Sequence, residues 1–254
     1  MSTKCYTESP VALLVDQSTL QSMPRVVSLV PSATETLSAW GVHLIGCTRF
    51  CERNDITIVG GTKNPQIETI TELQPDLVIM DREENRREDY EELLRREVPV
   101  HTLAIRSIFD VESEFNLLAE RLHLPTRSHI VLPEPSNHSP LRVTVPIWRR
   151  PWMVLGTPTY GASLLTYLGL IVVPSHQGPY PTLTPLEFET IETELLLTPD
   201  EPYRFGERHR EELERTAPTF FCDGKDLFWW GIRTPHALRR LDHLISEIRS
   251  TLHR

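Results

Sequence analysis

The feature that most constrains the fold is a short β-branched run, residues 26–30, that breaks at Pro31 and passes directly into an apolar-periodic stretch over 32–40. The run has the look of a buried strand and the stretch that of a helix. Ser32, with Glu35 three residues on, has capping-box spacing for its first turn. Strand, tight turn and helix N-terminus bring backbone N–H groups and a positive dipole end to one spot. The same alternation continues along the chain. Strands are predicted over 44–47, 58–59, 77–80 and 98–103, with helices over 66–72 and 89–96 between them. A further strand is expected ahead of these, over 11–16. Alternating strands and helices specify a mainly parallel sheet covered on both faces.

A second series of the same kind follows. Strands are expected over 142–147, 153–155, 170–173, 195–198 and 219–221, and helices over 161–168, 185–191, 206–215 and 235–252. Between the series, 107–124 is amphipathic, with Val111, Phe115, Leu118, Ala119 and Leu122 on one stripe. Pro125, Pro133, Pro135 and Pro140 come next, and interior proline costs a helix about 3 kcal/mol. The expected fold class is therefore α/β. Two lobes with mainly parallel central sheets, 1–106 and 142–254, are joined over 107–141 by a helix that a proline-rich linker truncates. A ligand cleft is expected between them, because open α/β sheets present their strand-end loops to a crevice.

Composition excludes several functions. Net charge is −9, from 35 acids against 26 bases, with no basic stripe interleaved with aromatics, so no nucleic acid is expected as partner. No apolar run reaches the roughly 20 residues of a spanning helix. Residues 1–10 are polar and 11–15 too short for a signal-peptide core. Cys5 follows no apolar segment. This start predicts a cytoplasmic protein, with the periplasm as the alternative if a leader precedes it.

The predicted strand-end loops hold the candidate site. From the first lobe come Ser32, Thr34, Arg49, Phe50, Cys51, Thr62, Lys63, Glu84, Asn85 and Arg86. From the second come Trp148, Arg149, Trp152, Tyr160, Glu201, Tyr203, Trp229 and Trp230. Aromatic rings with polar tips suit a flat, partly apolar guest. Arg49, Lys63, Arg86, Arg149 and Arg204 would meet an acidic guest by charge-assisted bonds, and Lys63 follows two glycines that allow close backbone approach. The alternative for the tryptophans is packing between loop and sheet; for the arginines it is ion pairing between loops. Cys47 and Cys51 have weak metal spacing, and a buried free thiol is the expectation for Cys51. His176 and His236 fall in loops, while His43, His101, His123 and His129 fall in predicted elements. No nucleophile elbow, phosphate loop or dinucleotide fingerprint is present.

The units Arg25–Gly41, Leu44-Ile-Gly46, Gly60-Gly-Thr-Lys63, Pro75-Asp-Leu-Val-Ile79 and Val98-Pro-Val100 together resemble the cluster-A, helical-backbone type of substrate-binding protein. That family includes the cobalamin-, haem- and ferric-siderophore-binding proteins of ABC importers. Phe50-Cys51, Glu84-Asn-Arg86, Ile147-Trp-Arg149, Pro151-Trp-Met153, Glu201-Pro-Tyr203 and Trp230-Gly231 are similar to a branch labelled cobalamin-binding or helical-backbone metal receptor. The resemblance implies a non-catalytic receptor for cobalamin, haem or a ferric chelate, acting as carrier, sensor or importer component. It also implies docking to an importer permease, with Glu68 at the family's place in the first lobe and Glu187 one residue from it in the second. The alternative from another class is an enzyme that reuses the cleft, with Cys51, Lys63 and Glu84 as reacting groups.

Overall fold

The computed structural model describes residues 23–125, 132–134 and 139–252. The expected strand over 11–16, Cys5, His129 and Pro135 lie outside the described residues.

The first lobe runs β1 (Val26–Ser28), α1 (Pro31–Ala39), β2 (Leu44–Cys47), β3 (Thr57–Ile58), a hairpin of β4 (Gly60–Gly61) and β5 (Asn64–Pro65), α2 (Ile67–Glu72), β6 (Leu77–Asp81), α3 (Arg87–Arg95) and β7 (Val100–Leu103). Five strands form a parallel sheet in the order β3-β2-β1-β6-β7. Alternate residues of its central strands enter two cores. Val26, Leu77 and Ile79 face one with α1, while Val27, Val78 and Met80 face the other with Ile67, Ile70 and Leu93 of α2 and α3. This two-residue period on a sheet buried on both sides is why the strands read as unbroken apolar runs.

Helix α1 departs from expectation at its start. Pro31 is its first residue and Val30 its cap, with no side-chain capping bond. Ser32 is therefore inside the first turn, where Pro fits because the missing N–H had no helical partner. Glu35 pairs instead with Arg233 of the other lobe.

Helix α4 (Asp110–Arg121) joins the lobes. It ends in a Schellman turn: His123 takes a positive φ of 53°, its N–H reaches the Glu120 carbonyl and the Leu124 N–H reaches that of Ala119. Pro125 follows at once, so the helix is as short as the prolines predict.

The second lobe comprises β8 (Leu141–Thr144), β9 (Pro146–Trp148), β10 (Trp152–Val154), α5 (Tyr160–Tyr167), β11 (Leu170–Val172), β12 (Thr182–Leu183), α6 (Pro185–Glu189), β13 (Leu195–Pro199), a 3-10 turn at Glu207–His209, α7 (Arg210–Leu213), β14 (Thr219–Cys222), α8 (Gly224–Phe228) and α9 (Thr234–Leu252). Its main sheet is parallel, β11-β8-β13-β14. A separate antiparallel sheet, β12-β10-β9, and helix α8 were not foreseen. The expected helix over 206–215 is a 3-10 turn leading into a single turn of α-helix.

One apolar core runs through the whole molecule. It takes in Val26 and Leu37 of the first lobe, Val111, Phe115 and Leu118 of α4, Val143 and Leu197 of the second sheet, and Leu238, Leu241, Ile245 and Ile248 of α9. The Phe115 ring stands edge-on to both Trp40 and Trp230, at 5.4 and 5.8 Å between centroids. The lobes are thus joined by packing as well as by the chain.

Candidate binding cleft between the lobes

A cavity of about 750 Å³ opens between the lobes. That lies within the roughly 300–1,000 Å³ of pockets that enclose a small-molecule ligand. The first lobe supplies Pro31, Arg49, Phe50, Glu52, Thr62, Lys63, Asp81, Glu83, Glu84 and Ile105. The second supplies Ile147, Met153, Leu155, Tyr160, Tyr180, Glu201, Lys225, Phe228, Trp229 and Trp230, among others. Most of these follow strands at their C-terminal ends, the place where such sheets present ligand groups.

The first-lobe wall is built by hydrogen bonds from buried side chains. Asn85 accepts the Asp81 N–H at 2.8 Å and donates to the Thr62 carbonyl at 2.9 Å, so it ties the loop after β6 to the β4–β5 hairpin. The Lys63 ammonium donates to the Glu83 carbonyl at 2.7 Å and closes the same junction. Gly60 is required there, because its φ is +96° and a Cβ would meet the Asn64 carbonyl at 2.7 Å and the Gln66 nitrogen at 3.0 Å. Asp81, only 3% exposed, accepts the N–H groups of Glu83 and Glu84 on Oδ1, at 2.8 and 3.1 Å. Its Oδ2 is buried, and the Ile105 N–H is the further backbone donor that acts on this carboxyl.

Two bonds cross the cleft. Tyr180 donates its phenol to Glu83 Oε2 at 2.9 Å, and Lys225 pairs with Glu52. The Lys225 ammonium also lies 4.9 Å from the Trp229 ring centroid.

Burial raises the acids that remain. It pushes the Asp81 carboxyl up to about 6, with the N–H groups of Glu83, Glu84 and Ile105 drawing it part of the way back. Glu84, half-buried beside it, is pushed up to about 8 by desolvation and then by the Asp81 charge, against the pull of Lys63. Glu201 is raised by desolvation and eased down by Lys225 and by a bond from Trp229.

Of the residues expected from the sequence, the cleft brings together Arg49, Phe50, Thr62, Lys63, Glu84, Tyr160, Glu201, Trp229 and Trp230. The others lie elsewhere. Ser32 and Thr34 are buried within α1, where the Thr34 hydroxyl donates to the Val30 carbonyl and to Cys51 Sγ. Asn85 is a brace behind the wall, and Arg86 is held by Asp89 at 2.6 Å. Trp148 is 44% exposed on the far side against Tyr203, and Arg149 pairs with Glu212 at 2.7 Å. Trp152 stacks on Phe188 at 4.0 Å in a separate core that Tyr203 borders. The antiparallel sheet turns these four away from the first lobe. Arg204, His176 and His236 are exposed and do not line the cleft.

Cys47 and Cys51 are free and buried. Hydrogen bonds from Cys47, Thr34 and Thr48 draw the Cys51 thiol down to about 6, while the same contact and burial push Cys47 up. Cys51 sits behind the cleft wall rather than in it, so the thiol, Lys63 and Glu84 do not form one reacting face. Among the described residues no group of three or more His, Cys, Asp and Glu side chains could hold a metal ion. No described helix is long and apolar enough to cross a membrane.

Sequence reasoning missed Asp81, Glu83, Tyr180, Lys225 and most of the apolar floor. Asp81 carried a usable signal, as the acid that closes the apolar run 77–80 at a strand end. Tyr180 and Lys225 carried none, since their place depends on how the lobes meet.

Two parallel α/β lobes on a short joining helix, with a half-apolar cleft at the strand ends, define the two-lobe α/β fold of this protein. Residues 26–134 match the model of the periplasmic binding protein family. No curated protein sequence matches the chain. Among solved structures it is similar to the periplasmic vitamin B12 binding protein BtuF of Vibrio cholerae, with 15% identity over 89% of this chain and 98% of that one, at a TM-score of 0.73. It is also similar to the periplasmic haem-binding protein RhuT of Roseiflexus sp. RS-1, with 19% identity, coverage of 87% and 98%, and a TM-score of 0.68. An ABC transporter substrate-binding protein of Listeria monocytogenes gives 14% identity, coverage of 87% and 98%, and a TM-score of 0.67. The family match is confined to residues 26–134, and over the rest of the chain the likeness to these structures is one of fold.

Proposed function

We propose that the chain is a receptor that takes a tetrapyrrole-type or metal-chelate molecule, in the class of cobalamin, haem and ferric chelates, between its lobes without transforming it. The observation that carries this reading is the composition of the cleft. Ile105, Ile147, Met153, Leu155, Phe228, Trp229 and Trp230 give a broad apolar lining, and polar groups stand at its edges. Such a surface suits a flat ring with polar substituents. The similarity in fold to proteins named for vitamin B12 and haem supports the same class.

Titration with cyanocobalamin, haemin and ferric chelates tests it, with tryptophan emission as readout. Trp229 and Trp230 line the cleft, so an occupant quenches emission saturably. Absence of quenching and of any bound chromophore with all three classes overturns the reading.

We infer further that an importer's membrane component, if one engages this chain, meets Glu68 at the start of α2 and Glu187 in the first turn of α6. Both are exposed, one on each lobe. Glu68→Lys should then weaken co-purification with such a component without altering ligand titration.

A further inference from the structure

The loop that follows β2 holds two thiols that the receptor reading leaves unused. Cys47 ends the strand and is fully buried, while Cys51 is 6% exposed. The chain turns back between them, with the Cys51 N–H on the Thr48 carbonyl at 3.1 Å, and the Cys47 thiol hydrogen-bonds the Cys51 sulfur. Thr34 of α1 donates to the same sulfur at 3.2 Å, and Thr48 Oγ1 lies 3.2 Å from it. Such convergence favours the thiolate, which is the reactive form, on Cys51. Cys47, the donor of the pair, keeps its proton. The neighbours of Cys51 belong to the cleft. Arg49, Phe50 and Glu52 line the cavity, and Glu52 carries the bond across it to Lys225.

We propose that Cys51 and Cys47 are a peroxide-sensitive pair, the first attacking and the second resolving, whose disulfide draws the loop 49–52 inward and weakens the cleft's hold on its ligand. The Cys51 thiolate attacks one oxygen of hydrogen peroxide. The O–O bond breaks, hydroxide leaves and takes up a proton, and Cys51 becomes a sulfenic acid. The Cys47 sulfur then attacks the Cys51 sulfur, its proton passing to the departing hydroxide, so that an S–S bond and water form. Two thiols are oxidised and one peroxide is reduced to two waters. Peroxide is little larger than water, which suits a sulfur so little exposed. An S–S bond is about 2.0 Å long, shorter than any hydrogen bond between sulfurs. Closure therefore pulls Cys51 toward the end of β2, and Arg49 and Phe50 with it. The effect on the ligand rests on the receptor reading above; the disulfide does not.

The test exposes the full chain at pH 7 to hydrogen peroxide, removes the excess with catalase, and follows trypsin digestion by mass spectrometry. Trypsin cuts after Arg49, between the two cysteines, so closure leaves peptides 26–49 and 50–53 joined until a reductant is added. Cys47→Ser should stop at the sulfenic acid and take dimedone on Cys51, whereas Cys51→Ser should take none on Cys47. Peptides that stay separate in the treated parent overturn the pair, as does dimedone on Cys47 in Cys51→Ser. Should a variant not fold, the parent's peptides decide the matter. The oxidised parent should also bind whichever of cyanocobalamin, haemin and the ferric chelates it accepts about threefold or more weakly, with recovery on reduction. Equal affinity overturns the coupling to the cleft. Failure of the reduced parent to bind any of them overturns the receptor reading alone, and the joined peptides still decide the pair.

Discussion

At the scale of single residues, Trp152 and Glu84 show how position overrides type. Trp152 is a loop aromatic by sequence, yet its ring is 8% exposed and stacked between Phe188 and Phe205 in a core remote from the cleft. Trp152→Ala should cost about 3–5 kcal/mol of stability by urea unfolding, with ligand affinity of the folded fraction unchanged. Glu84 has the opposite character, a group by the cavity whose ionisation is opposed by its surroundings. Its carboxyl holds a proton to about pH 8 when folded, against 4.5 in the ordinary case. Between those values the folded chain binds more protons than the unfolded one, so stability falls as pH rises. Asp81 adds a contribution of the same sign between 3.8 and about 6. Because Glu84 is only half-buried, solvent screening reduces the effect to about 1–2 kcal/mol across the window. Melting temperatures of the ligand-free protein should therefore decline from pH 5 to pH 8, and Glu84→Gln should flatten most of that slope. A slope unchanged in that variant would locate the proton elsewhere.

At the scale of elements, the joint between the lobes is the turn ahead of α9. Gly231 has a φ of +107°, and a Cβ there would sit 2.2 Å from Thr36 Oγ1 and 3.2 Å from the Phe115 ring. The same turn places the Ile232 N–H on Thr36 Oγ1 at 3.1 Å and the Arg233 guanidinium on Glu35 at 2.8 Å. Gly231→Ala combines backbone strain with a clash against the other lobe, and should destabilise by about 2–4 kcal/mol in denaturant titration. Arg233→Ala leaves the backbone intact and should cost less. The strands of both lobes were legible in the sequence, since Leu77–Asp81 and Leu195–Pro199 are apolar on both faces and bounded by turns. The end of α4 was legible too, because proline forbids its continuation. Helix α1 was misread by one residue, because Ser32–Glu35 mimics a capping box while Pro31 already opens the helix. The second-lobe aromatics were misread for a different reason. The pairing of Trp152 with Leu183 and of Met153 with Trp148 turns that loop into an antiparallel sheet, and such pairing is a long-range property. About half of the candidate site was legible for the same cause. Strand-end position can be read from local pattern, but which face a strand-end loop presents is set by its neighbours in space.

At the scale of the whole molecule, the continuity of the apolar core decides how the chain unfolds. Two lobes joined by a flexible linker would melt separately, each with its own core. Here Val26 and Leu37 of the first lobe, Phe115 of the joining helix, and Val143 and Leu241 of the second lobe belong to one cluster. Trp40, Phe115 and Trp230 carry aromatic contact from lobe to joining helix to lobe. The Ser107 and Ser163 hydroxyls bond at 2.9 Å across the same boundary, beside the Glu35–Arg233 pair. Opening the lobes would expose this shared surface at about 25 cal/mol per Å², a cost that no single cleft contact offsets. The expected behaviour is one cooperative transition. Unfolding followed by tryptophan emission, which reports Trp40 and Trp230 at the joint, should coincide with that followed by far-ultraviolet circular dichroism, which reports the helices of both lobes. The same continuity limits motion on binding, so the radius of gyration from small-angle scattering should change by less than about 1 Å when the cleft fills. Two resolved transitions, or a larger contraction on binding, would show that the shared core yields and that the lobes move as separate bodies.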